Sequence, residues 1–265
     1  FAGETTQVLP ELERAGGSPG GARPKVLVGV QGDIIISGED DLPEGFEHWL
    51  IKFASKNDVS HASRVEYAYA LMAKAAGIAM PEVRLFQVRD DRSYFGVKRF
   101  DRKENNERLH VHTFANLIHA NFRIPSTDYA DLFKVAQVLT RNHQDILELF
   151  RRMMFNIASH NRDDHAKNFA FVMDKEGEWS LSPCYDITYS EGIGGEHTMS
   201  VLGEGKNPTI ELCIQIALQF GVKKKIANSI IDEVQSAVDD WKKFAKEAGC
   251  ETKIANEIHQ RINLP

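Results

Sequence analysis

Near Phe100 the apolar pattern of this chain changes period, and that change restricts the possible folds more than any other feature. Before it, short runs rich in β-branched and aromatic residues (26–30, 34–36, 48–53, 83–88 and 94–100) alternate with the turn pairs Gly32-Asp33, Ser37-Gly38 and Asp90-Asp91. One helix interrupts these strands: Val65, Tyr69, Met72, Ala73 and Ala76 recur at helical spacing across 62–76, and Gly77 closes the segment. After Phe100 the spacing becomes helical, over 111–120, 128–142, 144–159, 208–220, 223–247 and 252–262. The exception is 169–174 with 178–182, which Lys175-Glu176-Gly177 joins as a β-hairpin. The pattern predicts an α+β chain in two parts, a β-rich lobe over 1–100 and a mostly helical lobe over 101–265 with a hairpin set in it.

Composition adds exclusions. A chain of 265 residues can enclose a cleft between two lobes, and no apolar run is long enough to span a bilayer. No basic-then-apolar leader precedes the first strand, so no secretion signal is visible. Cys184, Cys213 and Cys250 are far apart and odd in number. They predict a reducing, cytoplasmic setting and argue against disulfides or a zinc-thiolate site. The formal charge of −6 offers no global attraction to nucleic acid, and the run Lys223-Lys224-Lys225 reads as a solvated helix face.

The chemistry concentrates in 160–174, HNRDDHAKNFAFVMD. Asp163 stands five residues before Asn168, the spacing at which a catalytic loop supplies a carboxylate for an attacking hydroxyl and a neutral oxygen for Mg²⁺. A second metal carboxylate is needed beyond the hairpin, and Asp186 occupies that place. The order of loop, hairpin and aspartate is far more specific than either half. Upstream, Lys52 lies in HWLIKF, where flanking Ile51 and Phe53 make a lysine costly unless an anion meets it; Glu66 on the next helix is a candidate partner. The segment GGSPGGARPK (16–25) would let backbone N–H groups approach phosphates, with Lys25 adding charge. It matches neither G-x-x-x-x-G-K-[ST] nor G-x-G-x-x-G.

In order, GGSPGGARPK, HWLIKF, YFGVKRFDR, HNRDDHAKNFAF and LSPCYDITYS resemble the HipA family of bacterial serine/threonine kinases, the toxins of HipBA- and HipBST-type toxin–antitoxin systems. The resemblance runs along almost the whole chain. It implies a bilobal protein-kinase-like fold that binds ATP and Mg²⁺, with Asp163 as catalytic base and Asn168 and Asp186 as metal ligands. Lys52, paired with Glu66, would contact the α/β-phosphates, and Lys25 would lie near them. Backbone groups of Lys98 and Phe100 would hold adenine, with His165 and Tyr185 beside the nucleotide. Ser18 falls where the family carries its autophosphorylated serine. A HipB-like helix-turn-helix antitoxin is implied as partner, with DNA reached only through it. A translation-related protein, such as an aminoacyl-tRNA synthetase, is the implied substrate. Longer family members have a further small N-terminal subdomain; here the chain is either truncated or completed by a separate small protein.

Other readings stay open. A metal-dependent hydrolase would use His160, Asp163, Asp164 and His165, but these histidines are five apart and lack a third ligand motif. A small-molecule kinase of the aminoglycoside type shares the Asp163, Asn168 and Asp186 logic. A non-catalytic kinase-like repressor partner is opposed by the joint presence of Lys52, Asp163, Asn168 and Asp186. Asp164 and Lys167 read either as substrate contacts or as solvated loop residues. Arg162 reads as a loop-orienting residue, and Trp49, Phe53 and Phe100 as core. Asp186-Ile187-Thr188 lacks the glycine of Asp-Phe-Gly, so no flip of that kind is expected.

Overall fold

A computed structural model describes residues 1–14, 24–53, 62–88, 92–120 and 127–262. The first part is β1 (Ala2–Glu4), α1 (Thr5–Arg14), β2 (Lys25–Gln31), β3 (Ile34–Ser37), β4 (Glu47–Lys52), α2 (Ala62–Ala75), β5 (Val83–Gln87) and β6 (Ser93–Lys98). The strands form one antiparallel sheet in the order β1-β3-β2-β4-β6-β5. Gly32, at φ +60, makes the two-residue connection from Gln31 to Ile34. β1 and α1 went unread in the sequence, because Pro10 inside α1 breaks the helical signal; Val8 and Leu9 nonetheless bury against the sheet.

Strand alternation decides what each face does. Val28, Trp49, Ile51 and Phe53 point into the small core under α1. The opposite face carries Leu27, Leu50, Lys52, Phe95 and Val97 into a cleft. Helix α2 belongs to that cleft side. Its residues Val65, Ala68, Tyr69, Met72 and Ala73 join the larger core of the helices that follow, so it packs outside the sheet's own core.

The second part is β7 (His110–Thr113), α3 (Phe114–Leu117), β8 (Thr127–Asp128), α4 (Tyr129–Thr140), α5 (His143–Ala158), β9 (Ala170–Met173), β10 (Trp179–Leu181), β11 (Met199–Ser200), α6 (Ile210–Gln219), α7 (Lys224–Asp239), α8 (Trp241–Glu247) and α9 (Thr252–His259). Side chains cap several helix starts: Asp128 accepts from Ala130 N–H, Asn142 from Gln144 N–H and Thr209 from Leu212 N–H.

Two expected helices come out differently. Residues 111–120 split into β7 and the single turn α3, because His110–Thr113 pairs with β9, about 60 residues later in the chain, and Thr113 caps the turn. The hairpin therefore becomes a three-stranded sheet, β10-β9-β7. Residues 223–247 are two helices that break at Asp240. The bend turns Trp241 into the core, fully buried, with its indole N–H donating to Ala255 O at 2.9 Å.

Candidate active site

Between the sheet and the helices lies a cavity of about 420 Å³. Leu27, Leu50 and Val97 form its apolar roof, Phe100 and Tyr185 one side, and Lys25, Lys52 and Asp186 its polar end. Phe100 and Tyr185 stack at 5.7 Å, and the Tyr185 hydroxyl donates to Lys167 O at 2.7 Å. Phe100 is thus a half-buried cleft wall rather than a core residue.

The polar end is built on one ion cluster. Lys52 Nζ lies 2.5 Å from Glu66 Oε1 and 2.5 Å from Asp186 Oδ1, so three segments spread over the chain meet at a buried ammonium. Burial alone would push the Lys52 pKa down; the carboxylates of Glu66 and Asp186 reverse this and hold it above the usual lysine range. Burial would raise the Asp186 carboxyl, yet Lys52, followed by Lys25 and His165, holds it below the usual aspartate value. Asp186 itself adopts φ +57, a left-handed backbone that needs no following glycine.

The loop after α5 places the remaining groups. The Asn168 amide nitrogen donates to Asp163 O at 2.9 Å and reaches Asp186 O at 3.5 Å. That contact closes the five-residue spacing and keeps the amide oxygen outside these bonds. Asp163 holds a side chain 61% exposed, with His165 Nε2 at 3.9 Å from its carboxylate.

Its neighbour is the opposite case. Asp164 is 1% exposed and organises the loop from inside. Its Oδ2 accepts from the Tyr129 hydroxyl at 2.7 Å and lies 3.0 Å from His197 Nδ1, while Oδ1 accepts from Thr198 N–H at 2.8 Å. Asn156 extends this network, donating to the Tyr129 oxygen and accepting from Asn161. Asp164 is therefore neither a solvated loop residue nor a substrate contact. Tyr129, Asn156 and His197 escaped the sequence reading because they come from separate elements and share no motif. Arg162 orients the loop, as its type suggested: Nη1 donates to Glu191 O, and its own carbonyl accepts from Thr198.

Among the nucleotide-site candidates, Lys25, Lys52, Glu66, Lys98, Phe100 and Tyr185 line the cavity, as does the metal candidate Asp186, whereas His165 is not part of its lining. Lys98 is already occupied: its ammonium pairs with Glu47, and its N–H donates to Glu82 O at 2.9 Å. Ser18 lies outside the described residues, as does most of GGSPGGARPK. Among the described residues no group of three His, Cys, Asp or Glu side chains assembles a metal cage, which leaves the zinc-hydrolase reading without a site.

His160, three residues before Asp163, has φ +52 and a buried Nδ1 without a hydrogen-bond partner. Burial first, then Arg162 and His197, push its pKa from the ordinary 6.5 to about 4. The unfolded chain takes up this proton and the folded one does not. Stability is thus fully present above pH 6.5 and declines as pH falls towards 4. His160→Asn keeps tolerance of the left-handed backbone without titrating. Its urea midpoint is expected to vary less than the parent's between pH 6.5 and 4. Parallel pH profiles for the two proteins would exclude the histidine as the source.

The model of the HipA-like C-terminal domain family matches residues 17–241. The chain belongs to that family. Among curated relatives of this HipA-like domain, "Putative kinase Y4mE" of Sinorhizobium fredii is 27% identical over 60% of the chain, and a "Putative kinase" of Haemophilus influenzae is 23% identical over 46%. These alignments span 34% and 39% of the relatives' own lengths. Among solved structures, HipA of Shewanella oneidensis, determined with HipB and operator DNA, superposes with a TM-score of 0.76 at 16% identity. The match covers 98% of this chain and 68% of that one. The Helicobacter pylori proinflammatory kinase CtkA superposes at 0.50 and 14% identity, over 81% of this chain and 90% of its own. The HipA-like domain thus has the α+β, bilobal, protein-kinase-like fold.

Proposed function

We propose that this HipA-like domain is an ATP- and Mg²⁺-dependent serine/threonine protein kinase. The observation that carries the reading is the convergence of Lys52, Glu66 and Asp186 at one end of the cavity, with Asn168 tying Asp186 to the Asp163 loop. Family membership and the kinase-named relatives support the same class.

The residues fit the nucleotide and its metal. The apolar roof and the Phe100–Tyr185 wall suit a purine; with the Lys98 N–H committed to Glu82, the hinge contact falls to the Phe100 backbone. The Asn168 amide oxygen and the half-exposed Asp186 carboxylate are hard oxygen ligands that would hold Mg²⁺. Bound there, the ion supplies charge neutralisation for the phosphoryl group. Lys52, kept protonated by Glu66, places a fixed positive charge for the α/β-phosphates, and Lys25, opposite it in the β2–β4 pairing, adds a second. Asp163 orients the acceptor hydroxyl and receives its proton, and its exposure leaves room for a protein substrate. That openness favours a protein over an aminoglycoside-sized acceptor.

The S. oneidensis complex supports a HipB-like antitoxin as partner, with DNA contacted through it. A translation-related acceptor, such as an aminoacyl-tRNA synthetase, fits a HipA-type toxin in the bacterial cytoplasm, and no helix among the described residues is long and apolar enough to cross a membrane. The chain spans little more than a third of the length of the curated relatives it matches. The test is phosphopeptide mass spectrometry of cells expressing the chain against its Asp163→Asn variant, with ATP and Mg²⁺ compared with Zn²⁺ in binding. Absence of any Asp163-dependent phosphosite overturns the reading.

Ser18 is the proposed autophosphorylation site. A phosphate there adds about −1.5 to −2 charge to a segment that leads directly into Lys25 and the phosphate end of the cleft. Ser18→Asp is expected to weaken ATP binding and lower transfer; full parental affinity and activity would remove the switch.

A further inference from the structure

Ile193 is the most exposed large apolar side chain among the described residues, at 91%. A single exposed aliphatic is ordinary on a protein surface. Its mounting is not. Gly192, Gly194 and Gly195 around it have φ of +71, +68 and +77, a backbone that side chains rarely adopt. Gly195 N–H donates to Gly192 O, Glu196 N–H to Ile193 O, and Gly192 N–H to Ser190 Oγ, so the turn is internally bonded.

The turn is also fastened to the catalytic loop at both ends. Ser190 N–H donates to His160 O at 3.0 Å, and Thr198 N–H and hydroxyl donate to Arg162 O at 3.2 and 3.0 Å. A Cβ added at Gly192 would stand 2.1 Å from Glu196 O and 2.9 Å from Arg162 Cβ, so the closure of the turn and its packing on Arg162 require glycine there. Ile193 follows Gly192, and Asp163 follows Arg162. With consecutive Cα atoms about 3.8 Å apart, the Cα atoms of the two residues lie within about 14 Å.

We propose that Ile193 is a docking contact for the acceptor protein, packing on an aliphatic residue that flanks the phosphorylated Ser or Thr. The inference rests on the kinase reading and names the acceptor side of that site. An acceptor hydroxyl at the Asp163 carboxylate carries its flanking residues outward at roughly 3.3 Å each in an extended segment. Residues three or four positions away therefore come within reach of the turn at 192–195. Ile193 offers no hydrogen bond and no charge, so only an apolar partner gains by covering it. By contrast, Val138, 73% exposed on α4, has no such tie to the catalytic loop.

The test compares the full chain with its Ile193→Ser and Ile193→Glu variants, each given ATP, Mg²⁺ and a phosphatase-treated bacterial extract. Phosphosites are quantified by mass spectrometry, with ATP affinity and melting temperature measured in parallel. Parental sites on proteins of the extract, Ser18 of the chain itself set aside, are expected to carry Val, Ile or Leu within four residues of the acceptor. Ile193→Ser should lower their occupancy about tenfold or more at unchanged ATP affinity, and Ile193→Glu should shift transfer towards acceptors flanked by Lys or Arg. Variants that modify these extract sites at parental rates overturn the proposal, as do extract sites without aliphatic neighbours or a parent that modifies only itself. A parent that phosphorylates no protein, itself included, overturns the kinase reading and this inference with it.

Discussion

Asp163→Asn is expected to lower phosphoryl transfer by about 10²- to 10⁴-fold, the range supplied by a positioned general base. Fold and nucleotide affinity should survive. The carboxylate is 61% exposed, and the bond that shapes the loop uses the backbone carbonyl of Asp163, which asparagine retains. Asparagine matches aspartate in size but cannot accept the hydroxyl proton. Phosphate incorporation, ATP affinity and melting temperature, measured on one preparation, separate chemistry from folding. Transfer at the parental rate would take Asp163 out of the mechanism; lost affinity or a lowered melting temperature would make its role structural.

The adjacent carboxylate should behave in the opposite way. Asp164→Ala is expected to cost about 3–5 kcal/mol of stability, the range for breaking a buried charged network from one side. Its removal leaves the Tyr129 hydroxyl and the His197 ring nitrogen buried, and the Thr198 N–H partly buried, without their acceptor. Burial, with the Asp164 carboxylate adding to it, holds the Tyr129 hydroxyl well above the usual tyrosine pKa, so the tyrosine stays the donor. Asp164→Asn keeps one acceptor oxygen and should fall between parent and alanine. Urea unfolding of the three proteins reads the order directly. A parental midpoint for Asp164→Ala would mean that the network adds nothing to stability.

The pair shows how far local reading reaches. Asp163 is distinguished from Asp164 by one integer, its distance to Asn168, and the structure explains that integer as an amide-to-carbonyl contact across the turn. Nothing local distinguishes Asp164 as buried, because Tyr129 and His197 stand more than thirty residues away on either side. The same limit governs the elements. The strand alternation of HWLIKF puts Lys52 opposite Trp49 and Ile51 whatever the rest of the fold does. The strand at His110–Thr113 could not be told from a helix, since its partner β9 lies far along the chain. The break at Asp240 escaped for a related reason: helical period persists on both sides, and only the burial of Trp241 fixes the bend.

By itself, then, the sequence determined the α+β class, the strands from β2 to β6 with α2 between them, and the residue types able to carry phosphoryl chemistry, since these are written in periodicities and spacings of a few residues. The tertiary structure alone decided that Lys52 is shared between Glu66 and Asp186, that Phe100 walls the cleft, that Asp164 is buried and that Ile193 is held out beside the Asp163 loop. Each of those depends on contacts between segments tens to more than a hundred residues apart, and such contacts exist only once the backbone has closed around them.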